Sequence, residues 1–153
     1  MRVVDDLRRG GMVGAVTTIV YSSSIDRVDW AALKAALARD DFDNGRSPQE
    51  YKQSHENSHA VIFGYLGGEI VANGRILSDA VCNAYLVDIW TATPHRRLGV
   101  GREVVARLVS TVPGQHVGLF SDNRQDFYTE LGFRPQRGGM SQVIGTWLSR
   151  GRG

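Results

Sequence analysis

Residues 91–103 read TATPHRRLGVGRE, placing Arg96, Arg97 and Arg102 around Gly99 and Gly101, behind Pro94. Immediately afterwards, GREVVARLVST repeats apolar residues at Val104, Val105, Leu108 and Val109, the spacing of an amphipathic helix. Immediately before it, NAYLVDIWTAT (83–93) is a strand-like run, apolar on both faces, which suits a central strand. The order is strand, glycine-rich turn, helix. The first N–H groups of a helix lack intrahelical partners and carry the positive end of its dipole. Glycines at 99 and 101 hold no side chain over those amides, and a pyrophosphate is the natural occupant of such a cradle. The competing reading is a glycine-rich turn with solvated arginines. Two familiar phosphate motifs are excluded. The third glycine of a dinucleotide fingerprint would fall on Val104, and the Gly-Lys-Ser/Thr of a P-loop is absent.

Working outward, AVTTIVY (15–21) is rich in β-branched residues and reads as a strand. SSIDRVDWAALKAALARD carries capping residues ahead of Trp30, Leu33 and Leu37 at helical spacing. A loop, DDFDNGRS, leads to the short helix SPQEYKQSHEN, with Ser47 as N-cap and Pro48 at its first position. HAVIFGYLGGEIVANGRILSD holds two strand-like runs around Gly67-Gly68, hence a hairpin. Downstream, HVGLFS (116–121) reads as a short buried strand. DNRQDFYTELGF reads as a helix capped by Asp122 and stopped by Gly132, and MSQVIGTWL (140–148) as a closing strand. These elements make one α/β (α+β) domain over 1–153, with 1–13 and 149–153 as flexible tails.

A net charge of +2 carries no basic field of the kind nucleic acid requires. Cys82 is the only cysteine, so no internal disulfide forms, and a reducing, cytoplasmic compartment is the simpler expectation. No apolar run approaches the ~18 residues of a membrane span. RRGGMVGAVTTIVYSSS imitates a secretory signal, but Asp5 and Asp6 precede it and no A-x-A site follows. Met12 is an alternative start. His55, His59, His95 and His116 fall in turn or loop contexts without metal-ligand spacing, so no metal is expected. Cys82 reads as a small buried filler.

PHRRLGVG after a strand resembles motif A of the GNAT superfamily of acyl-CoA-dependent N-acetyltransferases, Q/R-x-x-G-x-G/A. DFYTELGF (126–133) resembles the second signature of that superfamily, a helix carrying Phe-Tyr and closing with Leu-Gly-Phe. The pair, in this order, is far more specific than either alone. The resemblance is sharp over 83–135 and compatible in topology elsewhere. It implies a central mixed, mostly antiparallel sheet of six or seven strands flanked by about four helices.

The resemblance also implies acetyl-CoA, or another acyl-CoA, as co-substrate, with no metal. Its pyrophosphate would meet the amides of Arg97, Leu98, Gly99, Val100, Gly101 and Arg102. The pantetheine arm would run beside Trp90, Thr91 and Ala92, where the strand splays from its neighbour at a bulge. An amide near Trp90 or Thr91 would polarise the thioester carbonyl, and one of Arg96, Arg102 or Arg107 would reach the 3′-phosphate. Tyr128 falls on the usual general acid, and a phenol of pKa ~10 is protonated at neutral pH. Its alternative is a core aromatic with a locally satisfied hydroxyl. The usual base positions fall on Tyr85 and Val87, so Asp88, the strand's only carboxylate, is the candidate base or amine-binding group. Its alternative is a buried aspartate bonded to backbone or arginine, with Asp79 and Glu69 as weaker candidates for the base. The asparagine often found at the start of the second-signature helix falls in SDN (121–123), which adds Asn123 to the cofactor-binding set. Arg124 and Gln125 stand where a small residue is usual.

The acceptor would be recognised by the first two helices and their loop. Asp40, Asp41, Asp43 and Glu50 make that loop acidic, which fits a cationic amine or a solvated acidic loop equally. LSDAVCNAYLVDIW resembles bacterial relatives of the plant-type arylalkylamine acetyltransferases. The expectation is therefore direct acetyl transfer to the primary amine of a small molecule. A non-catalytic acyl-CoA-binding module, or an enzyme acting on a protein or aminoacyl-tRNA amine, is the alternative. A homodimer is compatible with the family, with no surface singled out.

Overall fold

The computed structural model describes residues 18–147. Residues 15–17 of the first expected strand, Leu148 of the last, Met12 and the two expected tails lie outside the described residues. Five strands form one sheet in the order β1 (Val20–Ser22), β2 (Ala60–Leu66), β3 (Glu69–Ser78), β4 (Asn83–Thr91) and β5 (His116–Gly118). The first four are antiparallel neighbours and β5 joins β4 in parallel. Helix α1 (Trp30–Arg39) starts at Asp29, whose Oδ1 accepts the Ala32 N–H at 3.0 Å. Helix α2 (Pro48–Glu56) begins in a complete capping box, Ser47 with Glu50. Helix α3 (Val100–Val109) follows β4 after a single 3₁₀ turn, and α4 (Gln125–Glu130) follows β5. No helix among the described residues is long and apolar enough to cross a membrane.

Side-chain alternation on β2 sorts the core into two layers. Val61 and Phe63 pack with Leu33, Leu37 and Tyr51 of α1 and α2, whereas Ile62 packs with Val104, Val105 and Leu108 of α3. The sheet is thus buried on both faces. On β4 this alternation is deliberately interrupted. Asn73 pairs with Trp90 and Arg75 with Val87, so Gly74 alone opposes Asp88 and Ile89, a bulge. Ala84 and Leu86 face α3; beyond the extra residue, Ile89 takes that face and Trp90 turns into the α1/α2 layer. Asp88 occupies the bulge at φ +56°, a left-handed conformation that aspartate tolerates better than most residues. Gly74 is required opposite it. A Cβ there would sit 2.7 Å from both Ile89 and Val104, too close for α3 to lie against the sheet.

The strand count is five among the described residues, not six or seven. The segment read as a closing strand, 140–147, forms no ladder, and every residue from Arg134 to Trp147 is exposed. A strand that is apolar on both faces needs a partner edge, and the segment pairs with none of the described strands. HVGLFS contributes only its first three residues to the sheet, because β4 and β5 diverge after Gly118. The cap of α4 also differs. Asp122 makes no cap; instead Ser121 Oγ accepts the Arg124 N–H at 3.1 Å, ahead of a helix whose N-cap residue lacks a side-chain bond. Gly132 does end that helix, at φ +94°.

Candidate active site

At the end of β4, Thr93–His95 form a 3₁₀ turn, Arg97 takes φ +63°, and Gly99 at φ +81° is the N-cap of α3. The Arg96 N–H closes on Thr93 O and the Glu103 N–H on Gly99 O at 3.1 Å. Between them, no amide from Arg97 to Arg102 has an acceptor among the described residues. Six consecutive donors leading into a helix N-terminus are therefore unpaired, groups of the kind that can hold a pyrophosphate. The two glycines do different work. A Cβ on Gly99 would meet nothing within 4 Å, so its demand is the positive φ. A Cβ on Gly101 would come 3.2 Å from the Phe127 ring and 3.5 Å from Thr91 Oγ1, so its demand is close packing against α4.

The arginines also separate. Arg96 turns back, donating Nε to Thr91 O at 2.9 Å and lying 3.8 Å from Asp40. Arg102 lies 3.9 Å from Glu130, and Arg107 donates to Glu103 at 2.8 Å while covering the Tyr21 ring. Arg97 is exposed and makes no hydrogen bond or ion pair among the described residues. It stands at the cradle as a free cation.

Beside the cradle the sheet opens. Parallel pairing of β4 with β5 stops at Tyr85 and Gly118, leaving β4 from Leu86 to Thr91 without a neighbouring strand on that side among the described residues. The Ala92 N–H donates to Val71 O at 2.8 Å, so alternation turns the Thr91 amide away from β3 and toward the opening. Of Trp90 and Thr91, only Thr91 therefore presents an N–H there. The Trp90 side chain is buried on the opposite layer, with Nε1 donating to Asp40 at 2.9 Å. Across the opening, Phe127 and Tyr128 pack edge-on, 4.9 Å between ring centroids, and Tyr128 packs again on Phe133 at 5.8 Å. Burial pushes the Tyr128 phenol above its ordinary value. Its hydroxyl has no hydrogen-bond partner among the described residues. Asn123 and the adjoining Asp122 are exposed.

The bulge aims Asp88 at two cations. Its carboxylate accepts from Arg46 at 2.8 Å and from Arg75 at 2.6 Å, and all three side chains are largely buried. Burial pushes the carboxyl up, but the hydrogen bonds and charges of Arg46 and Arg75 outweigh it and hold Asp88 below the usual carboxylate range. Arg46 lies over the Tyr51 ring and binds Ser54 Oγ at 3.2 Å, and Arg75 reaches Ser58 Oγ at 3.3 Å. Next to this triad, His55 Nδ1 donates to Tyr51 O at 2.8 Å, while the Asn73 amide joins His55 Nε2 (3.0 Å) to the Tyr51 hydroxyl. Burial holds His55 below its ordinary pKa, so the ring is neutral. Asn73 Oδ1 faces His55 Nε2, and Asn73 Nδ2 donates to the Tyr51 hydroxyl, so one amide bridges the two rings.

The acidic loop is largely committed. Asp40 accepts from Trp90 Nε1, Thr93 N and Thr93 Oγ1; Asp43 pairs with Lys34; Glu50 caps α2. Three of its four carboxylates thus have partners within the protein, and Asp40 ties the loop to β4. Asp79 is spent in a turn, accepting the amides of Val81, Cys82 and Asn83, which bring its pKa down to about 2. Glu69 is exposed at the start of β3.

Residues 26–133 match the model of the acetyltransferase (GNAT) family. The chain belongs to the GNAT acetyltransferase family. As a member it is an N-acetyltransferase, using the acyl-CoA co-substrate of that family. Solved structures agree on the fold. A GNAT-family protein from Xanthomonas campestris pv. campestris superposes with a TM-score of 0.73 at 20% identity, over 83% of this chain and 94% of that one. A GNAT-family acetyltransferase from Streptococcus pneumoniae gives 0.67 at 16% identity, over 83% and 97%. Glucosamine-6-phosphate N-acetyltransferase from Arabidopsis thaliana gives 0.65 at 16% identity, over 84% and 99%. No curated protein sequence matches the chain.

Two features of this acetyltransferase escape a reading of the sequence alone. His55 is not a loop residue but lies buried on α2, one turn beyond Tyr51 on the same face. The Tyr51–His55 spacing on an otherwise polar helix is the local sign of it; Asn73 and Arg75 are contributed by a strand far away in sequence. Cys82 is exposed in the β3–β4 turn, not buried, with its thiol directed at Asp79.

Proposed function

We propose that the enzyme transfers an acetyl group directly to the primary amine of a small molecule, within a ternary complex formed at the divergence of β4 and β5. The observation that carries this reading is the run of six unpaired amides, Arg97 to Arg102, at the end of a strand that parts from its neighbour. They fit a pyrophosphate, with Arg97 adding charge beside them. Bound acetyl-CoA supplies the acyl group as an activated thioester. The Thr91 N–H is the donor aimed at the opening and serves the thioester carbonyl. Trp90 and Ala92, whose N–H groups face β3, keep the strand in place for Thr91, and Arg96 holds the turn. Tyr128, kept protonated by burial and free at its hydroxyl, is the proton donor to the leaving sulfur.

Asp88 is reassigned in this reading. A carboxylate saturated by two arginines and held below the usual carboxylate range is a poor proton acceptor at neutral pH. It is a positioning residue that ties the α1–α2 loop, through Arg46, to β4. The amine proton then leaves to water. A net charge of +2 and an acidic α1–α2 loop favour a small amine over an RNA-borne one, and the lone cysteine accords with a reducing compartment. A free-thiol assay over a panel of amines, amino acids and aminoglycosides with acetyl-CoA tests the proposal. Thiol release that depends on a small amine supports it; release with peptide or aminoacyl-tRNA acceptors alone overturns it.

A further inference from the structure

On the α1/α2 face of the sheet, the buried core stops short of the first half of β4. Among the described residues, Trp90 is the only buried β4 side chain in it. Ala84 and Leu86 face α3, so alternation turns Tyr85 and Val87 to the α1/α2 side, where Tyr85 is 37% exposed. Tyr85 is also the last β4 residue paired with β5, opposite Gly118, so it stands where the two strands begin to part. A Cβ on Gly118 would meet nothing within 4 Å, and this glycine leaves the space beside Tyr85 open. The Phe120 ring bounds that space, edge-on to Tyr85 with 5.9 Å between centroids.

On the other side stands Arg75. It pairs with Val87, which makes Tyr85 its diagonal neighbour across the ladder, a separation that long side chains bridge. Arg75 lies on the α2 side as well, because its Nη1 reaches Ser54 O at 3.4 Å and Ser58 Oγ at 3.3 Å. Its Nε is spent on Asp88 at 2.6 Å. No buried side-chain atom among the described residues lacks a partner, yet Arg75 Nη2 and the Tyr85 hydroxyl have none there. Both donors therefore sit at the accessible rim of the Asp88 cluster. The charges of that cluster do not cancel. Arg46 and Arg75 set two positive charges against the single carboxylate of Asp88. Arg46 has used each of its nitrogens, on Asn44, Ser54 and Asp88, so the surplus is presented at Arg75. Burial holds the Tyr85 phenol above its ordinary value and keeps it a donor, and the charges of Asp88 and Arg75 both reach it.

A guanidinium N–H and a phenol O–H beside one surplus positive charge are the complement of a carboxylate. A phosphate brings more oxygens and more charge than these groups match. We propose that the acceptor is an amine that also carries a carboxylate, as an amino acid does, and that Arg75 Nη2 and the Tyr85 hydroxyl donate to that carboxylate. The Tyr85 and Phe120 rings flank the body of the molecule, and its amine lies toward the divergence of β4 and β5. This rests on the small-amine reading above and narrows it to one class of acceptor.

Initial rates of thiol release, taken with acetyl-CoA and matched acceptors, test it. Each pair differs by the carboxylate alone: alanine with ethylamine, phenylalanine with 2-phenylethylamine, lysine with 1,5-diaminopentane. In the pair that is turned over best, the amino acid is expected to have a kcat/KM at least roughly tenfold above its amine. Tyr85→Phe removes only the hydroxyl of an exposed side chain, so the fold is kept. It should raise the KM of that amino acid by roughly tenfold and narrow its advantage over the matched amine. Arg75→Lys keeps a counter-ion for Asp88 but loses the forked donor, and should narrow the advantage likewise. Amines acetylated as well as their amino acids, or a Tyr85→Phe enzyme with an unchanged preference, overturn the proposal and leave the small-amine reading standing. Thiol release with none of these acceptors also overturns it; release with peptide or aminoacyl-tRNA alone overturns the small-amine reading as well.

Discussion

Beyond the C-terminal end of β4, the amides of Arg97 to Arg102 point outward with no acceptor. Beside the bulge of the same strand, Asp88, Arg46, Arg75, Tyr51, His55 and Asn73 bond one another in a closed set buried under α2. The first region is polar backbone kept unsatisfied; the second is polar side chain fully satisfied. Unsatisfied donors at a helix start are free to hold an anion. Satisfied charges in a buried network instead hold neighbouring segments in one arrangement, and are costly to break singly. On the proposed reading, ligand binding falls just beyond β4 and alignment of the acceptor loop falls at its bulge.

The largest effect that could break this contrast is expected at Asp88. Asparagine tolerates the left-handed backbone, so Asp88→Asn removes charge alone and leaves Arg46 and Arg75 buried without a counter-ion. We expect a loss of about 3–5 kcal/mol in chemical denaturation. A smaller effect on folding, with turnover lost, would return Asp88 to a catalytic role. The pH dependence has a definite sign. Because the folded carboxyl is held below its unfolded value of ~4, the stability it contributes is complete above pH ~4 and is lost as pH falls through the depressed value. Asp88→Asn should flatten that acid limb of the unfolding profile.

Next in size is Tyr128→Phe, expected to lower kcat by roughly 100-fold or more while leaving acetyl-CoA affinity unchanged. Full turnover would remove Tyr128 from the reaction. Gly99→Glu places a carboxylate at a φ of +81° beside the amides and should weaken acetyl-CoA by about 10–100-fold in calorimetry, with a stability cost of about 1–2 kcal/mol from the left-handed backbone. Gly101→Ala is the smallest and sharpens the distinction between the glycines. Phe127 must yield to the new Cβ, so a stability loss of about 1 kcal/mol is expected in thermal unfolding.

What could be read from the sequence follows the range of the interactions. The strand, turn and helix around Gly99, the Ser47–Glu50 capping box and the Gly67-Gly68 hairpin are local, and the chain carries their signals within a few residues. The Asp88 triad is not local. It joins positions 46, 75 and 88, and its geometry depends on a bulge that only pairing with β3 creates. The acidic loop looked available to a cation because sequence cannot show that Trp90 Nε1 and Thr93 already occupy Asp40. The strand expected at 140–148 has the right pattern, yet a strand forms only where an edge receives it. Gly101 was read as clearing space for a ligand, but the space is taken by Phe127, 26 positions downstream.

Amide chemical shifts of the full chain during titration with acetyl-CoA test the central claim most directly. The account predicts that the largest changes fall on Arg97 to Arg102 and Thr91, while the side-chain signals of His55 and Asn73 stay in place. Unmoved amides from Arg97 to Arg102, with the large changes elsewhere, would contradict it.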